Sequence, residues 1–138
     1  MFNKLIVAVD GSEQSLKAAE KGIILAKKSN AYVYVVYVVD RSISKAEVMQ
    51  TWDSLGITEK KQKKFKWVER AAEKEKISYE VKLLRGEPGI AIVNFAKEVG
   101  ADLIIIGSRG LNQFQQLVLG SVSHKVMKRA TCPVLIIK

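Results

Sequence analysis

Five short apolar runs separated by amphipathic stretches constrain this chain more than any other feature. Residues 4–10 (KLIVAVD), 101–106 (ADLIII) and 133–137 (PVLII) are short and largely apolar, 31–39 (AYVYVVYVV) is rich in β-branched and aromatic residues, and 78–85 (SYEVKLLR) shows partial alternation; each reads as a strand. Helical spacing fills most of the gaps. Leu16, Ala19, Ile23 and Ala26 recur after the first run, behind Ser12 as a cap and Glu13 in the first turn. Ile92, Phe95, Ala96 and Val99 recur after the third run, opened by Pro88 and closed by Gly100. Val122, Val126 and Ala130 recur before the last. Residues 59–76 suit a helix with Phe65, Val68 and Ala72 on its apolar face, whereas residues 40–58 read as part loop and part helix. Strands alternating with helices call for a mostly parallel sheet covered on both faces. With 138 residues and no linker or repeat, the chain reads as one domain over residues 1–138.

No apolar run approaches the ~20 residues needed to span a bilayer. The start of the chain lacks the long apolar segment and cleavage site of a secretory leader. The single cysteine, Cys132, has no internal disulfide partner, and the expectation is a cytoplasmic protein. Cys132 itself reads as a small packing residue.

The net charge is +9, from 23 basic and 14 acidic residues. This balance suits an anionic partner: nucleic acid, a membrane surface or a small ligand. The distribution is informative. No acidic residue occurs from Leu103 onward, where Arg109, Lys125, Lys128, Arg129 and Lys138 are basic. Five lysines in residues 60–66 form a second concentration. These lysines read as a solvated helix face, with nucleic acid or an anionic membrane as the alternative. Trp52 and Trp67 read as packing residues, and His124 as a surface or packing side chain rather than a pH-sensitive phosphate contact.

The acid-free third contains GSRGLNQFQQLVLGS, residues 107–121. Gly107 falls at the carboxyl end of a strand, and Gly120-Ser121 at the start of a helix. In an open parallel sheet, ligands bind beyond the carboxyl ends of the strands, where strand order reverses. A helix start offers unpaired N–H groups and the positive end of the helix dipole, which together attract phosphate. Glycines admit close approach and positive φ, and Ser121 and Ser123 add hydroxyls. The spacing G-x2-G-x9-G-S is consistent with a phosphate cradle in two parts, although glycines at such junctions are also common as plain turn residues. Asp10, in Asp10-Gly11-Ser12, adds an acceptor suited to a ribose hydroxyl. Neither G-x-x-x-x-G-K-[ST] nor a G-x-G-x-x-G after the first strand is present, which argues against P-loop and dinucleotide folds.

The chain resembles the universal stress proteins over nearly its whole length. KLIVAVDGSEQSLKAAEKGIILAK, YVVYVVD and the segment from ADLIIIGSRG to the last residue carry the likeness. The complete G-x2-G-x9-G-S motif, at Gly107, Gly110, Gly120 and Ser121, is similar to that of the ATP-binding branch. The resemblance implies a single-domain, five-stranded parallel α/β sheet in the order 3-2-1-4-5, of the adenine nucleotide alpha-hydrolase-like class. It implies ATP as ligand, with Mg or Mn. Ala8 and Asp10 would lie along the adenosine, and Val38 would offer backbone groups to the adenine. Gly107, Ser108, Arg109, Gly110, Leu111, Asn112 and Gln113 would wrap ribose and phosphates, and Gly120, Ser121, Val122 and Ser123 would hold the phosphates. Arg109 is either a further phosphate contact or a solvent-facing side chain. A homodimer through the last strand, Pro133 to Lys138, is implied as well. Residues 40–58 match the family least; they follow the second strand, near the expected adenine, a place suited to a lid. The function implied is an ATP-dependent binding module in stress response. A slow ATPase is one alternative, although no convincing base accompanies Asp10. An adaptor for acidic partners or nucleic acid, independent of ATP, is the other.

Overall fold

The computed structural model describes residues 2–10, 12–39, 66, 69–108 and 120–138. Its elements are β1 (Lys4–Ala8), α1 (Glu13–Ser29), β2 (Tyr32–Val39), β3 (Tyr79–Arg85), α2 (Pro88–Val99), β4 (Leu103–Gly107), α3 (Ser121–Arg129) and β5 (Val134–Ile137). Residues 69–74 are also helical. The expected lid, the two tryptophans and all of the lysine run except Lys66 lie outside the described residues; Lys66 is helical and exposed.

The five strands form one parallel sheet in the order β3-β2-β1-β4-β5, as the family resemblance implies. Strand alternation sorts the side chains to two faces. Leu5, Val7, Val9, Val33, Val35, Leu103 and Ile105 pack against α1 and Ala72. Ile6, Ala8, Val36, Ile104 and Ile106 pack against α2 and Val126 of α3. Ile6 and Ile104 are fully buried in the second layer, and Leu5 and Ile105 in the first. Both faces being covered explains why the central runs are continuously apolar rather than alternating.

Helix α1 buries Ser15, Ala18, Ala19, Gly22, Ile23 and Ala26. Leu16, expected on the buried stripe, is only partly buried. The contact face is built from small residues because α1 lies close on β1: a Cβ added at Gly22 would stand 2.5 Å from Val7 Cγ2. At the other end, Asn30 closes the helix in the left-handed conformation at φ 54°, and its N–H donates to the Ala26 carbonyl. Gly100 does the same for α2 at φ 67°.

Strand boundaries shift from the sequence expectation by one to two residues, each for a local reason. β1 ends at Ala8 because the Asp10 carboxylate bends the chain by accepting the Ser12 N–H at 2.8 Å. β4 starts at Leu103 because the Ala101 N–H closes α2 on the Ala96 carbonyl at 2.9 Å. Asp102 meanwhile accepts the N–H groups of Asn3 and Lys4 at 2.8 and 2.9 Å.

Those two backbone donors, Lys4 first, hold the Asp102 carboxyl below its ordinary range. A lowered folded pKa means the folded state favours the carboxylate. The stabilisation is therefore complete above the unfolded value, about 3.9, and is lost as pH falls through the folded one. Asp102→Asn is expected to make stability less sensitive to pH below about 4, read by urea unfolding at a series of acid pH values. An unchanged acid slope would contradict it.

Cys132 packs half-buried against the second layer, and burial pushes its thiol up. A protonated thiol is a poor nucleophile. Iodoacetamide at pH 8 is expected to modify the folded protein much more slowly than the urea-unfolded chain. Equal rates would place the thiol elsewhere.

Candidate functional site

β1 and β4 lie side by side, yet the helices that follow them cover opposite faces of the sheet. Their carboxyl ends therefore border the crevice expected at a reversal of strand order. A set of short hydrogen bonds organises its rim. Ser12 caps α1 by accepting the Ser15 N–H at 3.1 Å. The Ser15 hydroxyl donates to the Ser12 carbonyl at 2.9 Å and accepts the Asp10 N–H at 3.3 Å. Across the crevice, the Ser108 hydroxyl donates to Gln14 Oε1 at 2.8 Å, joining β4 to the first turn of α1. The Ser108 N–H donates to the Ile137 carbonyl at 2.8 Å, and its carbonyl accepts the Gly120 N–H at 2.6 Å.

This last bond sets the start of α3 beside the end of β4. Ser123 reinforces it. It is 2% exposed, and its hydroxyl lies 3.1 Å from the Ser108 carbonyl and 3.0 Å from the Gly120 carbonyl, donating to these main-chain oxygens. Its contribution here is to position the helix start. Ser121 is exposed and Val122 half-buried. Among the described residues no side chain caps α3, and its first turn holds no acidic residue. The leading N–H groups of a helix have no acceptor within it. The positive end of α3 thus lies at the crevice.

The structure brings together Ala8 and Asp10 at the end of β1, Gly107 and Ser108 at the end of β4, and Gly120, Ser121, Val122 and Ser123 at the start of α3. Val38 sits one residue before the end of β2, half-buried on the α2 side. Arg109, Gly110, Leu111, Asn112 and Gln113 lie outside the described residues. Two glycines have reasons other than positive φ. A Cβ at Gly107 would lie 3.1 Å from Gln14 Cβ and from the Gln14 carbonyl carbon, so the missing side chain admits the first turn of α1. Gly120 has extended dihedrals, φ −63° and ψ 158°, which any residue adopts.

Burial raises the Tyr37 phenol, and the nearby Asp10 charge adds to the effect. Among the described residues, no cluster of histidine, cysteine, aspartate or glutamate is arranged to hold a metal. Likewise no described helix is long and apolar enough to cross a membrane. Sequence reasoning missed Gln14 and Ser15. Ser15 carried a signal, since Ser12-x-x-Ser15 approximates a capping box. Gln14 carried none, because its partner is 94 residues away.

A sequence profile of the universal stress protein family matches residues 1–138. The chain belongs to this family. Universal stress protein YxiE of Bacillus subtilis is 39% identical to it, with both chains covered in full. Universal stress protein MJ0531 of Methanocaldococcus jannaschii is 36% identical, over all of this chain and 83% of the other. Among solved structures, a universal stress protein in complex with cAMP superposes with a TM-score of 0.77 at 26% identity. That match spans 99% of this chain and 97% of the other.

Proposed function

We propose that this universal stress protein binds ATP in the crevice between β1 and β4 and acts as a nucleotide-dependent regulatory module over residues 1–138. The observation that carries the reading is the start of α3 beside the end of β4. Among the described residues it has no side-chain cap, its first turn is free of acidic residues, and the Gly120 N–H ties it to Ser108 at the end of β4. Main-chain N–H groups aligned with a helix dipole are suited to phosphate. The complex of a structural relative with cAMP supports an adenine nucleotide as the class.

In this reading Ala8 and Asp10 flank the adenosine, and Val38 presents backbone groups to the adenine. Ser121 and the N–H groups of residues 121–123 receive the phosphates, while Gly107 and Ser108 form the floor. Residues 109–113 wrap the ribose and phosphates, and Mg or Mn accompanies the triphosphate. The Asp10 carboxylate already accepts the Ser12 N–H, which favours an orienting role over that of a base. The module pairs with a second copy through β5, an edge strand of the sheet that leaves Leu135 40% exposed.

The test is to denature freshly purified protein and identify any released nucleotide, then to titrate stripped protein with ATP, ADP, AMP and cAMP by calorimetry. ATP binding is expected. A stripped, folded protein that takes up no adenine nucleotide would end this reading.

A further inference from the structure

We propose that Glu87 is an internal counter-anion competing with a nucleotide's terminal phosphates for the Lys125 ammonium, and that this pair sets the preference for triphosphate over monophosphate. The proposal rests on the site reading above and adds a selectivity device to it.

Lys125 lies four residues after Ser121 in α3, so the two share a face one turn apart. Long helical side chains lean toward the helix N-terminus, and the Lys125 ammonium meets Glu87 at the N-cap of α2. Its stem is held by packing. A Cβ at Gly89 would lie 2.9 Å from both Cβ and Cδ of Lys125, so the stem runs directly across the first turn of α2.

The ammonium pairs with the Glu87 carboxylate. Glu87 occupies the N-cap position of α2, yet its side chain makes no capping bond there. Its charge is directed across to α3 instead. The first turn of α3 has no acidic residue of its own, so Glu87 brings a carboxylate to that helix from α2.

The pair is partly open to water, its side chains 34% and 49% exposed. An ion pair in that setting is weak and easily exchanged. A phosphate at the start of α3 offers more negative charge and more acceptor oxygens than the carboxylate. Lysine, a compact charge on a flexible stem, adapts to either partner. The further a phosphate chain reaches toward the helix start, the more it gains by taking Lys125 from Glu87. ATP therefore gains where AMP does not.

The experiment is calorimetry on the full chain with ATP and with AMP, magnesium in excess, for wild type, Glu87→Gln, Lys125→Gln and Lys125→Arg. Thermal unfolding checks that each variant is folded. Glu87→Gln is expected to tighten ATP by about two- to fivefold, the range of an exposed ion pair, and to leave AMP unchanged. Lys125→Gln is expected to weaken ATP by about tenfold, again without moving AMP, and Lys125→Arg to restore ATP binding. If wild type binds both nucleotides but Glu87→Gln binds ATP no more tightly, the proposal falls and the site reading stands. Equal shifts for ATP and AMP in Lys125→Gln would show a structural role and also overturn it. Should Lys125→Gln be unfolded, the Glu87→Gln result decides alone. A wild type that binds neither nucleotide would overturn the site reading and the proposal together.

Discussion

Gly22→Val is expected to destabilise the protein by about 3 kcal/mol, the upper range for overpacking a dense core. The cause is the close approach of α1 to β1. A Cβ at position 22 would meet Val7 Cγ2 at 2.5 Å and Ile105 Cδ1 at 3.4 Å. Val7 cannot swing away easily, because it is β-branched and 1% exposed in a packed layer. Valine also brings little of the gain in helix propensity that normally accompanies replacing glycine. Against a typical domain stability of about 5–15 kcal/mol, the loss is large, and thermal unfolding should fall by on the order of 10 °C.

The steric origin can be separated from any other by a double-mutant cycle. Gly22→Ala is expected to cost about 1–2 kcal/mol, overpacking outweighing a propensity gain of about 1 kcal/mol. In a Val7→Ala background, which removes the obstructing methyl groups, the same change should become neutral or stabilising. A penalty that stays the same in both backgrounds would refute the contact as its cause.

Gly120→Val is expected to weaken ATP binding by about two to four orders of magnitude while leaving a folded protein. The two outcomes separate because Gly120 has extended dihedrals, so valine meets no backbone strain there. The loss of a tolerated N-cap residue costs at most about 1 kcal/mol. The ligand side is far more sensitive. Each hydrogen bond to a charged partner is worth about 1.5–3 kcal/mol. A side chain that pushes a phosphate off two of the N–H groups at the start of α3 therefore removes about 3–6 kcal/mol, or two to four orders of magnitude in affinity. Calorimetry beside a chemical denaturation curve reads both quantities. Wild-type affinity in a folded Gly120→Val protein would move the phosphates away from α3. Gly107 is the poorer choice for this purpose, since a side chain there strikes the backbone of Gln14 and would confound binding with folding.

The order of strands and helices was legible in the residues themselves. Runs such as residues 31–39 and 101–106 are too apolar and too β-branched for anything but buried strands. Pro88, Gly100 and Ser12 mark helix ends through local chemistry alone. The family likeness supplied the order of strands, which periodicity cannot, because pairing depends on contacts remote in sequence. The candidate site was legible where its signal was local, as at Gly120-Ser121 and Asp10. It was hidden where two distant segments meet. Ser123 looked like a ligand hydroxyl, yet it is buried against the Ser108 carbonyl.

The sequence by itself determined which segments are strands, which are helices, and where the acid-free, glycine-marked junction lies. These properties follow from side-chain pattern and backbone preference over a few residues. Only the tertiary structure decided what each glycine is for, and which side chains serve the fold rather than the crevice. Gly22 admits Val7, Gly107 admits Gln14, Gly89 admits Lys125, and Glu87 turns from its own helix to another. Each of these roles is set by a distance between atoms far apart in the chain, and such distances exist only once the layers have packed.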